Sequence, residues 1–149
     1  MRKTFLFVLV AAVLVTAVAP TQGQKSKKRI ISPPEFPQNR PFSPGVLADG
    51  TLYVAGQVGR EPKTGKMADT FEGEVRQTLD NIGLILKAAG MDYSDVVNVN
   101  VYLTDIGKFD EMNKVYTEYF KADRPARATV QVARLVGTAQ VEISAIAHK

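Results

Sequence analysis

The longest hydrophobic pattern with a helical period lies between residues 69 and 90. Apolar residues recur there at steps of three or four, the spacing of one helix face: Phe71, Val75, Leu79, Ile82 and Leu86. Asp69 and Glu72 have the spacing of a capping box, and Gly90 supplies a stop signal. This pattern predicts an amphipathic helix with one face buried in a core.

A second helix is predicted from about residue 108 to residue 121. Its apolar positions are again at helical spacing: Phe109, Met112, Tyr116 and Tyr119. The helix must end before Pro125, because the residue that precedes a proline is disfavoured in the α region.

Elsewhere the hydrophobic period changes to two, which is the period of a β-strand. Between residues 95 and 103 the predicted core-facing residues are Val97, Val99, Val101 and Leu103. Residues 127–133 and 140–147 alternate in the same way, with Arg127 and Glu142 on the polar sides of their strands. Residues 42–48 and 51–55 flank the turn signal Asp49-Gly50, which predicts a hairpin.

Two helices and about six strands predict an α+β domain with both helices on one face of a mixed sheet. The opposite face carries polar and apolar side chains, so it is expected to be covered by something else. In a chain of 149 residues that cover is expected to be another copy, in a closed symmetric oligomer.

The first 40 residues are predicted to lie outside this domain. Arg2 and Lys3 precede an uncharged run from residue 5 to residue 19, and small or polar residues follow as far as Gly23. The run is shorter than the roughly 20 residues that span a bilayer. Residues 1–23 are therefore predicted to be a cleaved export signal, with an uncleaved anchor as the alternative. Export to the periplasm or the medium, with no stable membrane association after cleavage, is the expected localisation.

Residues 24–40 are rich in Lys, Pro and Ser and have neither hydrophobic period, so they are predicted to be a flexible basic linker before a domain at 41–149. The basic charge of the whole chain belongs to this arm and the leader. From residue 35 onward there are 13 basic and 15 acidic side chains, a net charge of −2. A nucleic-acid partner is therefore not expected, because nucleic-acid affinity depends on neutralising phosphates.

The residue types exclude several chemistries. The chain has no cysteine and one histidine, which rules out a disulfide framework, a thiol nucleophile and a soft metal site. A serine triad would have to use His148 as its base. Arg127 has no acidic neighbour along the chain, and its planar guanidinium suits a carboxylate ligand. The alternative is a salt bridge from Arg127 to Glu142 or to a neighbouring subunit.

The sequence also resembles the RidA (YjgF) family of reactive intermediate deaminases. The resemblance runs from about residue 41 to residue 147 and rests on a series of motifs: PFSPG, YVAGQVG, PKTGKM, VRQTLDNI, LKAAGMDYSDVVNVNVYLTD, NKVYTEYF, RPARATVQVA and VEISAIA. It implies a chorismate-mutase-like fold, a homotrimer with a cleft at each subunit interface, and hydrolysis of enamines and 2-imino acids to 2-oxo acids and ammonia. No cofactor and no metal are implied.

The resemblance also implies roles for individual residues. Arg127, in the motif PARAT, matches the arginine that pairs with the substrate carboxylate. Thr129 matches a position whose backbone contacts the substrate near its nitrogen. Glu142, the first acid of VEISA, matches the glutamate that orients the hydrolytic water.

The remaining family positions line the cleft, and some of them differ here. Ala55 and Gly56 match one wall, and Asn113 matches a polar residue at the cleft edge. Phe42 stands where the family usually has tyrosine, so the ring is kept and the hydroxyl is lost. Ala55 and Ala128 replace common serines, which makes the expected pocket less polar.

Two other functions remain open from the sequence. A non-catalytic trimer could use the same clefts to bind small carboxylates or to act in a chaperone-like way, and the substitution at Phe42 favours this slightly. Ribonuclease or translation inhibition has been attached to some relatives, and the negative charge of the domain argues against it.

Overall fold

The computed structural model describes residues 28–149. In this range the chain forms six strands and two helices: β1 (Arg29–Ile31), β2 (Gly45–Ala48), β3 (Thr51–Val58), α1 (Phe71–Ala88), β4 (Val96–Leu103), α2 (Phe109–Tyr119), β5 (Ala126–Gln131) and β6 (Val141–His148). The predicted export signal at residues 1–23 lies outside the described residues. None of the helices in residues 28–149 is long and apolar enough to cross a membrane.

All six strands form one mixed sheet in the order β1-β2-β3-β6-β4-β5. Every neighbouring pair is antiparallel except β4 and β5, which are parallel and are connected through α2. Strand β5 therefore lies at an edge of the sheet, and β6 lies between β3 and β4.

The two helices share one face of this sheet, where their apolar stripes are buried against it. Leu79 and Ile85 of α1, Met112 of α2 and Val101 of β4 are completely inaccessible to solvent. The N-cap of α1 is Thr70, one residue after the predicted cap Asp69, because the Thr70 hydroxyl accepts a hydrogen bond from the Gly73 amide. The predicted α+β architecture, with a six-stranded mixed sheet and two helices, is confirmed.

The predicted linker at 24–40 is wrong for its described part. Residues Arg29–Ile31 form strand β1, which pairs with β2 and supplies the sixth strand of the sheet. Ile31 and Phe36 are each only 3% exposed and belong to the hydrophobic core. The domain therefore begins before residue 41. The prolines of this segment led to the prediction of a linker, although it contains a short edge strand and the buried side chain of Phe36.

The predicted alternation of β4 is wrong at Val97, the first of its four predicted core-facing residues. Val97 is half exposed, whereas Val96 is buried in the core. The pairing of β4 with β6 shifts by one residue between Val96 and Asn98, so a β-bulge turns Val97 outward. The prediction assumed a strict alternation of inward and outward side chains, which a bulge interrupts.

A buried carboxylate joins α1 to the start of β6. Glu74 is 2% exposed, and its Oε1 accepts hydrogen bonds from the backbone amides of Gln140 at 2.7 Å and Val141 at 3.3 Å. Its Oε2 accepts a third from the Gln140 side chain at 3.3 Å. Glu74 thereby fixes the entry into β6, two residues before Glu142.

Replacing Glu74 with alanine is expected to destabilise the protein by about 1–3 kcal/mol, because the backbone amides of Gln140 and Val141 lose their acceptor. Urea unfolding followed by circular dichroism measures this loss. Glu72→Ala is the matched control on the same helix, since Glu72 is exposed and pairs only with Arg76; its expected effect is below about 0.5 kcal/mol. Equal losses for the two variants would contradict this role of Glu74.

Candidate active site

Arg127 is held by aromatic rings and faces the helix layer. It is paired in register with the buried residue Val99, so its side chain lies on the same face of the sheet as α2. The guanidinium carbon is 4.4 Å from the ring centroid of Tyr116 and 5.6 Å from that of Phe109. Such contacts with ring faces stabilise a cation without neutralising it.

No carboxylate in residues 28–149 lies within salt-bridge distance of Arg127. The side chain borders an open depression of about 480 Å³ that Asn113, Thr117 and Arg124 also line. The alternative of an Arg127–Glu142 salt bridge within one chain is not realised. The guanidinium is therefore placed to receive an anion from outside the chain.

Two buried hydroxyl groups near Arg127 have no hydrogen-bond partner in the described part of the chain: those of Tyr116 and Thr129. Burial raises the pKa of Tyr116, and the positive charge of Arg127 partly opposes that rise. The neutral phenol is therefore the stable form beside the arginine, and its hydroxyl can still donate or accept a hydrogen bond.

The backbone of Thr129 faces away from the sheet. The amide of Val132 donates to the carbonyl of Leu103 in β4, and backbone directions alternate along a strand. The amide and carbonyl of Thr129 therefore point outward from the free edge of β5, where they can bind a ligand or another chain. This orientation is compatible with the backbone contact expected for Thr129.

Glu142 lies in a different part of the molecule, with three of the other predicted site residues. Phe42, Ala55, Gly56 and Glu142 line one cavity of about 440 Å³. Ala55 and Gly56 lie in a β-bulge where the pairing of β3 with β6 shifts. The bulge brings the backbone of Gly56 against the Glu142 carboxylate, because a Cβ on residue 56 would lie 2.8 Å from Glu142 Cδ and closer still to Oε1.

Burial raises the pKa of the Glu142 carboxyl above its ordinary value. No cation in residues 28–149 lies within salt-bridge distance to counter this effect. A carboxylate with a raised pKa in a cavity is a suitable group for holding a water molecule and accepting a proton from it.

The two groups of residues lie on opposite faces of the sheet. Glu142 is in register with Tyr102, and Tyr102 is in turn in register with Val130 of β5. Val130 and Arg127 are three positions apart on one strand, so their side chains point to opposite faces. Arg127, Asn113 and Thr129 therefore cannot meet Glu142 around one small ligand within a single chain.

Sequence reasoning missed three residues that line these cavities or support Arg127. Tyr116 and Phe109 were assigned to the core by their helical spacing, although they also support Arg127. Arg40 was placed in the linker, yet it lines the Glu142 cavity. His148 was treated as a tail residue; it ends β6, and its ring is 3.1 Å from the hydroxyl of Thr51.

Known proteins resemble this chain in sequence over most of its length. The sequence model of the family described as endoribonuclease L-PSP matches residues 34–149. The human 2-iminobutanoate/2-iminopropanoate deaminase is 43% identical over 122 residues, covering 80% of this chain and 89% of that protein. The goat (Capra hircus) protein of the same name is 46% identical, with the same coverage of 80% and 89%.

A solved structure shows the same fold. The crystal structure of the Escherichia coli YjgF gene product matches with a TM-score of 0.77 at 34% identity, covering 81% of this chain and 98% of that chain. The sequence motifs, the six-stranded sheet and these matches lead to one conclusion: the chain belongs to the RidA/YjgF family.

Proposed function

We propose that this protein hydrolyses reactive 2-imino acids, and the enamines in equilibrium with them, to 2-oxo acids and ammonia. The observation that carries the proposal is Arg127, a guanidinium stacked on Tyr116 and without an acidic partner in the described chain. The relatives named as 2-iminobutanoate/2-iminopropanoate deaminases support the same reaction.

Imine hydrolysis requires few catalytic groups. An imine carbon is already electrophilic, so the site must fix the substrate carboxylate, place one water near the imine carbon and move the protons of that water to the nitrogen. Arg127 supplies two parallel N–H donors for the carboxylate. As the new C–O bond forms, the π electrons of the C=N bond move to nitrogen, and Glu142 takes a proton from the attacking water and passes it to that nitrogen. The remaining hydroxyl proton then moves through Glu142 to the nitrogen as the C–N bond breaks, so that the C=O bond forms and ammonia leaves. No step needs a cofactor.

The site is complete only when two copies of the chain meet. Because Arg127 and Glu142 lie on opposite faces of one sheet, the substrate must lie between Arg127 of one subunit and Glu142 of the next. The open sheet face supports such contact, since Tyr53 and Val130 are about half exposed there, at 52% and 46%. A homotrimer with three equivalent clefts satisfies this arrangement by a heterologous interface that closes after three copies.

A non-catalytic role in binding small carboxylates is the second candidate, and Phe42 is the observation that favours it. Phe42 lines the Glu142 cavity with its ring 52% exposed and has no hydroxyl to hold a water or the reacting nitrogen. Binding without turnover is then expected, and the activity measurement below separates the two functions.

Export is also proposed here, on the basis of the sequence of residues 1–23. Determining the N-terminal residue of the protein purified from the extracellular or periplasmic fraction tests it. Recovery of the full-length chain from the cytoplasm alone would contradict export and leave the proposed reaction unaffected.

The reaction is tested by coupling the protein to an amino-acid oxidase that releases 2-imino acids and following the formation of 2-oxo acid. We expect the wild type to accelerate hydrolysis and Arg127→Ala to lower kcat/KM by at least about 100-fold, because the carboxylate loses a charge-assisted pair and its orientation. Arg29→Ala, which removes a charge from an exposed residue of β1, is the matched control. Wild-type rates equal to the uncatalysed rate, together with tight 2-oxo acid binding, would select the binding function.

The shared cleft is tested by mixing two inactive variants. Arg127→Ala subunits keep Glu142, and Glu142→Gln subunits keep Arg127. After unfolding and refolding together, about a quarter of the interfaces in a random closed ring pair an intact Arg127 with an intact Glu142. We therefore expect activity to return in the mixture, measured per site. No recovery in mixed oligomers that are shown to form would contradict a site built from two subunits.

The acid limb of the pH profile should reflect Glu142. Since burial raises the pKa of this carboxyl, the ionised form needed to accept a proton is lost at a higher pH than for an ordinary glutamate. We expect kcat/KM to fall as pH decreases, with a midpoint above 4.5, the usual glutamate value. Glu142→Gln should remove this limb from the remaining activity, and an unchanged acid limb in that variant would assign it to another group.

A further inference from the structure

The cavity that contains Glu142 also contains an arginine for which the proposed reaction has no use. Arg40 lies in the segment between β1 and β2 and lines the same cavity as Phe42 and Glu142. Its guanidinium carbon is 4.8 Å from the ring centroid of Phe36 and 5.8 Å from that of Phe42. The side chain is therefore held between two rings at the cavity wall.

Arg40 has no anionic partner within the described residues. It takes part in none of the salt bridges formed in residues 28–149. Burial lowers the pKa of Arg40 below its ordinary value, and no acid offsets this effect. A second arginine at this cavity, Arg60, is engaged differently, since it donates to the carbonyl of Gly65. Arg40, by contrast, makes no side-chain hydrogen bond within residues 28–149, so all of its N–H donors remain available.

The size of the cavity also favours a substrate with a side chain longer than methyl or ethyl. A methyl or ethyl side chain of a small imino acid fills a space comparable to one or two water molecules, each about 30 Å³. The cavity measures about 440 Å³ in the single chain, several times the volume of such a side chain. A side chain that ends in a carboxylate would face repulsion from Glu142 unless a cation lay in the same cavity, and Arg40 meets that requirement.

We propose that Arg40 is a second anion contact in the active site and that the preferred substrates are 2-imino dicarboxylic acids. In this arrangement Arg127 of one subunit binds the carboxylate next to the imine, and Arg40 of the next binds the carboxylate at the end of the side chain. The planar guanidinium, stacked on Phe36 and Phe42, presents its N–H groups to an anion in a fixed orientation. This inference rests on the proposed function, because it concerns the same site.

Substrate selectivity provides the test. 2-Imino acids are generated by oxidases from glutamate or aspartate on one side and from norvaline on the other, and kcat/KM is measured for each. We expect Arg40→Gln to lower the ratio of dicarboxylic to neutral kcat/KM by about 10- to 100-fold, the usual effect of losing a charge-assisted pair. Arg29→Gln removes the same charge from an exposed position on β1 and should leave the ratio unchanged.

A measurement on the wild type is also needed, because Arg40→Gln could lose selectivity through a folding defect. Calorimetry with 2-oxoglutarate and 2-oxopentanoate compares two ligands of similar length that differ in the terminal carboxylate. We expect the dicarboxylate to bind at least about tenfold more tightly. Arg40→Lys should give an intermediate ratio, because it keeps the charge and loses the planar fork.

The outcomes distinguish this inference from the proposed function. If norvaline-derived imine is hydrolysed but the selectivity ratio of Arg40→Gln equals that of the wild type, the inference fails and the reaction stands. Equal affinity of the wild type for the two 2-oxo acids also overturns it, and would assign Arg40 to an anion of a neighbouring subunit. If no imine is hydrolysed while the dicarboxylate still binds more tightly, the reaction fails and the anion contact stands.

Discussion

The pleat of a β-strand is the constraint on which this site depends. Side chains alternate between the faces of a sheet, and the shared register of β4, β5 and β6 sends Arg127 toward the helices and Glu142 toward the open face. Neither can change face without moving a whole strand by one residue, which would expose the core. Under the proposed function, a substrate that needs both groups lies between two chains, because backbone geometry keeps these groups apart within one chain.

Aromatic support replaces ion pairing at Arg127 and Arg40, two of the arginines that border the cavities. Arg127 stacks on Tyr116 and Phe109, and Arg40 lies against Phe36 and Phe42. A guanidinium bound to a carboxylate of its own chain would have to lose that partner before it could bind a substrate. Ring faces stabilise the cation and leave its N–H groups free. The rings also fix the plane of the guanidinium, which reduces the ordering required when an anion binds.

Two features elsewhere in the fold determine the position of Glu142. The bulge in β3 turns Gly56 toward the carboxylate, and the absence of a Cβ allows the close approach. Glu74 anchors the first residues of β6 from the buried face of α1. Glu142 is thus oriented from both sides by backbone contacts, while burial adjusts its affinity for a proton. Precise positioning of one carboxylate is consistent with a reaction that needs only one oriented water.

The sequence alone predicted the two helices and five of the six strands, and its motifs indicated the family and the candidate site residues Arg127 and Glu142. Those features are encoded locally, in hydrophobic period, turn residues and motifs. Only the tertiary structure decided that Arg29–Ile31 is a strand, that a bulge reverses Val97, and that Arg127 and Glu142 occupy opposite faces. Periodicity tells which residues share a side of one strand, but strand pairing and helix packing decide which face of the sheet that side becomes.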